Sequence, residues 1–166
     1  MPMPMPIAIA IANTIRACAS PRLRALLLCA ILFAASPARA GGTTELPSTQ
    51  NLDYQAGLEA IKVSDWDSAI YNLNVAATAL PTDADLQNWL GYAYRQKGNY
   101  AAAFDSYRAA LHLDPKHRGA NEYIGEAYLL TGNKAKAREH LAALERICGK
   151  KCAEYQDLQR AIAMAK

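Results

Sequence analysis

Beyond residue 50, apolar and polar positions alternate in a rhythm that restarts at intervals. An apolar stretch of helical spacing runs into a short polar break, and a second such stretch follows. The breaks contain Ser64-Asp65, then "KGNY" at 97–100 and "TGNK" at 131–134. Such Gly/Asn and Ser/Asp clusters predict tight turns between antiparallel helices. Pro81 and Pro115 follow the second stretch of their pairs, where a proline ends one helix and opens the next unit.

The interval is regular. Gly57, Gly91 and Gly125 stand 34 residues apart, as do Ala69, Ala103 and Ala137, then Leu73, Tyr107 and Leu141, and the pair Pro81 and Pro115. Three units follow: 50–83, 84–117 and 118–151. The middle one, "ADLQNWLGYAYRQKGNYAAAFDSYRAALHLDPKH", holds Leu90-Gly91-x-x-Tyr94, Ala103-x-x-x-Tyr107, Ala110 and Pro115. It resembles the tetratricopeptide repeat (TPR), a helix–turn–helix unit of this period. Gln87 occupies the family's early Trp position, with Trp89 two places on. The first unit has Ala56-Gly57 and Ala60 where Leu-Gly and Tyr are expected, and the third has Gly149 for the closing Pro. The resemblance implies an all-α solenoid of three helix pairs, stacked because one pair cannot bury its apolar face alone. The small Gly and Ala positions are expected where paired helices approach closely. Residues 152–166, with Ala153, Leu158, Ile162 and Ala165 on one face, predict a polar-backed capping helix, and 41–49 a flexible leader.

Residues 1–40 read differently. Arg16, Arg22 and Arg24 precede the apolar run Ala25 to Ala35, and Ala38-x-Ala40 is followed by Gly41. That layout predicts a secretory signal peptide cut before Gly41. Its apolar run is about half of what spans a bilayer, so no stable membrane insertion is expected after cleavage. The expected location is outside the cytosol, in the periplasm. Export also changes the charge. Removing the four arginines of 1–40 from 18 basic residues leaves 14 against 15 acidic ones, a net charge of −1, and takes away the compositional support for a nucleic-acid partner.

Cys148 and Cys152 are the cysteines left in the mature chain. An even count in an exported protein points to a disulfide, here fixing the turn between the last repeat and the cap. Two other readings stay open: a thiol-redox pair, with Cys152 near a helix N-terminus beside Lys150 and Lys151, or a Cu(I) or zinc site. No His or Met in the loop completes such a site. The ending "CGKKCAEYQDL" resembles the cap of small exported bacterial TPR proteins.

In the TPR family the first helix of each unit lines a concave groove. The matching positions imply a peptide-binding surface of Asn51, Tyr54, Leu58, Asn88, Tyr92, Arg95, Gln96, Glu122, Glu126 and Leu129. The family's carboxylate clamp of Lys, Asn and Arg is replaced by Tyr54, Leu58, Tyr92, Glu122 and Glu126. This set suits an extended or helical peptide with an apolar anchor and a basic residue. Tyr94, Tyr107 and Tyr128 fall at core positions, and Glu122 and Glu126 read as a solvated helix face rather than an acid/base pair. His112, His117 and His140 share no cluster with a nucleophile, and no phosphate loop or metal-ligand cluster appears, so no catalytic residue and no cofactor is assigned. The expected function is a non-enzymatic scaffold of the bacterial envelope, with a thiol or copper/zinc-handling accessory as the alternative.

Overall fold

A computed structural model describes residues 50–165. Within them lie seven helices: α1 (Leu52–Lys62), α2 (Trp66–Ala79), α3 (Ala84–Gln96), α4 (Tyr100–Leu113), α5 (Arg118–Leu130), α6 (Lys134–Cys148) and α7 (Ala153–Met164). No strand occurs among the described residues, and none of their helices is long and apolar enough to cross a membrane.

Each start is written locally. Asn51, Asp65, Asp83, Asn99, His117 and Asn133 cap α1 to α6, each accepting a hydrogen bond from a backbone N–H of the first turn. Cys152 caps α7 without such a bond. The turns inside the second and third pairs rest on Gly98 (φ +83°) and Gly132 (φ +80°), the left-handed backbone that glycine adopts at little cost. In the first pair Ser64 takes that conformation, φ 58°.

α1 packs on α2, α3 on α4 and α5 on α6, and each second helix meets the first helix of the next pair. Ala69, Ala103 and Ala137 are completely buried between helices. The glycines work at closer range. A Cβ on Gly57 would lie 2.6 Å from Leu73 Cγ, and one on Gly91 would lie 2.6 Å from the Tyr107 ring, so these residues let α1 and α3 close on their partners. Gly125 departs from that expectation. Its nearest neighbour is Leu158 of α7, at 2.6 Å, and not Leu141 of its own pair. Leu141 is only half-buried, while Leu158 is completely buried. The capping helix has taken the place beside the third glycine.

α7 therefore packs on both α5 and α6. Tyr155, Leu158 and Ile162 join Ala137 and Leu144 in the C-terminal core cluster. Of the three tyrosines expected inside, Tyr107 is completely buried. Tyr94 and Tyr128 are half-buried against the core clusters, and Tyr128 lies 4.6 Å from Phe104 and stacks 5.8 Å from His140. The signal peptide and leader expected in 1–49 lie outside the described residues.

Candidate functional site

The first helices α1, α3 and α5, with α7 as a fourth, form one continuous face. α3 contacts both α1 and α5, and α5 contacts α7. Aromatic rings run across its middle. Tyr92 meets Trp66 and Trp89 edge-on, each at 6.0 Å, and Tyr123 at 5.3 Å. The Arg95 guanidinium sits 5.4 Å from the Tyr92 ring and 5.3 Å from the Tyr123 ring, within cation–π range of both. Its Nη1 donates to Glu126 Oε2 at 2.5 Å. The Arg95 side chain is 9% exposed and that of Glu126 25%, so this pair is largely withdrawn from water.

Two cavities flank this aromatic bar. One, of about 400 Å³, lies at the N-terminal ends of α3, α5 and α7 and is lined by Asp85, Asn88, Trp89, His117, Arg118, Tyr123 and Glu154, among others. The other, of about 490 Å³, lies at the opposite end between α3, α5 and α7. Leu129, Leu130, Ala161 and Met164 give it an apolar lining, with Arg95 and Glu126 on its inner side. Leu130 is 57% exposed and Met164 75%, unusual for large apolar side chains beside a cavity.

The sequence-predicted groove residues take several roles. Tyr92, Arg95, Glu126 and Leu129 are brought together where the aromatic bar meets the apolar cavity. Leu129 lines that cavity beside Arg95 and Glu126, and Tyr92 contacts Arg95 from the bar. Gln96 is exposed at the end of α3. Asn51 is engaged in capping α1, its Oδ1 accepting from the Tyr54 N–H at 2.9 Å. Tyr54 is buried in the cluster that Trp89 packs against, and Leu58 is half-buried in the same cluster, so both support the surface from below. Burial, followed in effect by Asp83 and Asp85, pushes the Tyr54 hydroxyl up to about 12. Asn88 is 4% exposed, and its Oδ1 has no hydrogen-bond partner.

Glu122 and Glu126 do not form the solvated face expected of them. Glu122 is 9% exposed because α7 packs over that side of α5. Burial, then the charges of Glu126, Asp157 and Glu154, push its carboxyl up to about 7, against a smaller opposing effect of Arg95. Glu126 is held by Arg95.

Trp66, Trp89, Tyr123, Glu154, Ala161 and Met164 are further parts of this face that the repeat positions did not supply. Trp89 and Tyr123 share position 6 of their units, one place from the positions carried over. Glu154, Asp157, Ala161 and Met164 are spaced by three, four and three along α7, a helical stripe that marks a second working face of the cap.

At the α6–α7 corner, Cys148 Sγ and Cys152 Sγ stand at bonding distance, 2.05 Å, with Cα atoms 5.9 Å apart. A carboxylate oxygen of Glu154 lies within 4.8 Å of both sulfurs, but a joined pair offers no thiolate, so the metal reading requires the two cysteines reduced. Glu154 also faces Arg118 Nε at 3.5 Å.

Two family models, both described as tetratricopeptide repeat, match residues 54–118 and 94–162. Solved structures agree. The first TPR of Spaghetti (RPAP3), bound to the HSP90 peptide SRMEEVD, superposes with a TM-score of 0.64 at 20% identity, covering 74% of this chain and 97% of that one. The Yersinia enterocolitica type III secretion chaperone SycD, in complex with a peptide of the translocator YopD, gives 0.62 at 19% identity over 71% and 89%. The TPR2B domain of yeast Sti1, in a complex with pHsp70, gives 0.62 at 20% identity over 69% and 95%. At these identities the likeness establishes the fold. No curated protein matches the chain.

Proposed function

Because this chain belongs to the tetratricopeptide repeat family, we propose that it is a non-enzymatic interaction module that holds a peptide or protein segment against α1, α3, α5 and α7. The observation that carries this is the apolar cavity of Leu129, Leu130, Ala161 and Met164, open beside the aromatic bar. Burying one leucine or phenylalanine side chain there contributes about 1.5–3 kcal/mol. An extended backbone crossing the tyrosine and tryptophan rings adds contact area at low entropic cost.

The segment is not an acidic tail of the SRMEEVD type that the RPAP3 domain binds. Glu126, Asp157 and Glu154 lie close enough to Glu122 to push its carboxyl up, and Arg95 is already engaged by Glu126. Apolar and basic side chains suit this surface.

We further propose a location in the bacterial periplasm, after removal of residues 1–40. The support is the signal-type layout of those residues and the paired cysteines at the α6–α7 corner, which an oxidising compartment would join. In that setting the cysteines are a staple for the cap.

The test is binding of the fluorescently labelled protein to an array of random dodecamer peptides, repeated with Leu130→Asp/Met164→Asp. These side chains are exposed, so the variant keeps its fold. Selective peptides captured by the parent and lost by the variant support the reading. An array with no selective binding, or an unchanged pattern in the variant, refutes it. Location is checked separately, by N-terminal sequencing of the periplasmic fraction, where the chain should begin at Gly41.

A further inference from the structure

α6 takes no part in the face that α1, α3, α5 and α7 form, yet it borders a cleft of its own. About 270 Å³ opens between the α4–α5 connection and the C-terminal end of α6, lined by Pro115, Lys116, Ala143, Arg146 and Ile147. Pro115, Ala143 and Ile147 give it apolar walls. Lys116 and Arg146 are its charged members, and no carboxylate lines it. Both cations are exposed. Neither side chain enters an ion pair among the described residues, whereas Arg95, Arg118 and Lys150 are each held by a carboxylate. The acidic residues nearest in sequence are committed elsewhere. Glu145 pairs with Lys150, Glu139 pairs with Lys136, and Asp114 accepts the backbone N–H of Lys116.

Two unpaired cations from two different elements, set among apolar walls, call for an anionic ligand with an apolar part. Size narrows the class. Pockets that enclose a whole small molecule run from roughly 300 to 1,000 Å³. A cleft of about 270 Å³ falls below that range and suits one or two side chains of a larger partner. A membrane surface is the poorer match, because the lining has no Trp, Tyr or Phe of the kind that anchors at a lipid–water interface.

We propose that this cleft is a second docking site, for an acidic segment of a protein partner. One aliphatic side chain of the segment lies against Ala143 and Ile147. Asp or Glu on either side of it presents carboxylates to Lys116 and Arg146. Arg146 takes its carboxylate through two parallel N–H donors, and Lys116 acts as a point charge. Charge complementarity selects this occupant and separates it from the groove's. The groove refuses acidic side chains, since Arg95 is already spent on Glu126, and the α6 cleft accepts them. A chain with both sites holds two partners of opposite character at once, and so acts as a bridge between them. The cleft stands without the groove reading. Lys116 also lines the cavity at the N-terminal ends of α3, α5 and α7, so Arg146 is the residue that reports on the cleft alone.

The probes are labelled dodecamers in a Gly/Ser background, each with one central leucine flanked on both sides by two Glu, two Gln or two Lys. Binding is read by fluorescence anisotropy. The Glu peptide should bind about tenfold more tightly than the Gln peptide, with Lys weakest, and the gap should narrow as salt rises. Arg146→Gln and Lys116→Gln should each reduce the preference several-fold, and both side chains are exposed, so the variants keep their fold. Arg138→Gln removes another unpaired cation of α6, outside the cleft, and should leave binding unchanged. Leu130→Asp/Met164→Asp, which disables the groove, should also leave it unchanged. Equal binding of the three peptides, or a loss in Arg138→Gln as large as that in Arg146→Gln, overturns the site. Loss of the Glu peptide in the groove variant overturns it as well, by placing acidic segments in the groove. Phosphatidylglycerol/phosphatidylcholine vesicles are the last probe. Vesicle binding that depends on Arg146, with no binding of the Glu peptide, overturns the protein partner in favour of a lipid surface. A blank random array beside intact, Arg146-dependent binding of the Glu peptide removes the groove and upholds the cleft.

Discussion

Glu122→Gln isolates the electrostatic state of the groove. The carboxyl is moved from its ordinary 4.5 up to about 7, chiefly by burial and then by Glu126, Asp157 and Glu154. Between those values the folded chain holds a proton that the unfolded chain has released. Stability is therefore full below the unfolded value and falls as pH rises through the folded one. Each tenfold difference in proton affinity between the two states corresponds to about 1.4 kcal/mol, which makes about 3 kcal/mol the ceiling for this group. Solvent in the groove screens part of it, and about 1–2 kcal/mol is the working size. Gln keeps the shape and removes the titration. Urea unfolding at pH 5, 6, 7 and 8 should show the parent losing that amount relative to the variant across the range. The difference between the two chains cancels other titrations. His140 is one such group, lowered by burial and so acting with the opposite slope. Parallel stability curves for parent and variant, or a Glu122 carboxyl that titrates near 4.5 by NMR, would refute the reasoning.

Other outcomes follow from the packing and the corner. Gly91→Ala places a Cβ 2.6 Å from the completely buried Tyr107 ring; it should cost about 1–3 kcal/mol by denaturant unfolding, against the small gain that alanine normally brings to a helix. Arg95→Leu leaves Glu126 without its partner and should cost about 2 kcal/mol, while the double variant Arg95→Leu/Glu126→Leu should regain part of it, giving a coupling above about 0.5 kcal/mol in a double-mutant cycle. Cys148→Ser/Cys152→Ser should lower stability by about 2 kcal/mol, the chain-entropy value for so short a ring. If the same variant abolishes function in the cell at a temperature where it remains folded, the staple reading gives way to the thiol or metal alternative. The mass of the exported protein, short by two hydrogens for a disulfide, checks the oxidation state directly.

The helix pairs were legible because their determinants repeat. A residue that must be small at one helix crossing must be small at the next, so Ala69, Ala103 and Ala137 appear in the sequence at the spacing at which they are buried in the structure. The caps and turn glycines are equally local. The groove was legible only in part, because its chemistry depends on what lies across from each position. Glu122 and Glu126 look alike on the face of α5. One is buried by α7, which lies outside the repeats, and the other is bound by Arg95, 31 residues earlier. Gly125 matches Gly57 and Gly91 in position but not in neighbour. Trp89 and Tyr123 sit one place from the expected groove positions, where a large ring still reaches the surface that a smaller side chain would leave.

Arrays of this kind ordinarily lengthen by duplicating a unit, since each contacts only its neighbours. The seating of Leu158 beside Gly125 obstructs that route at the α7 end. A further pair inserted ahead of α7 would carry Cys152 away from Cys148 and hand the Gly125 niche to a stranger. It would also take Glu154, Ala161 and Met164 out of the two cavities that they help to line. One helix serves both as core of the third pair and as wall of the two cavities, so a change at this end alters packing and surface together. Substitutions within α3, α5 and α7 change the cavity walls without that rearrangement.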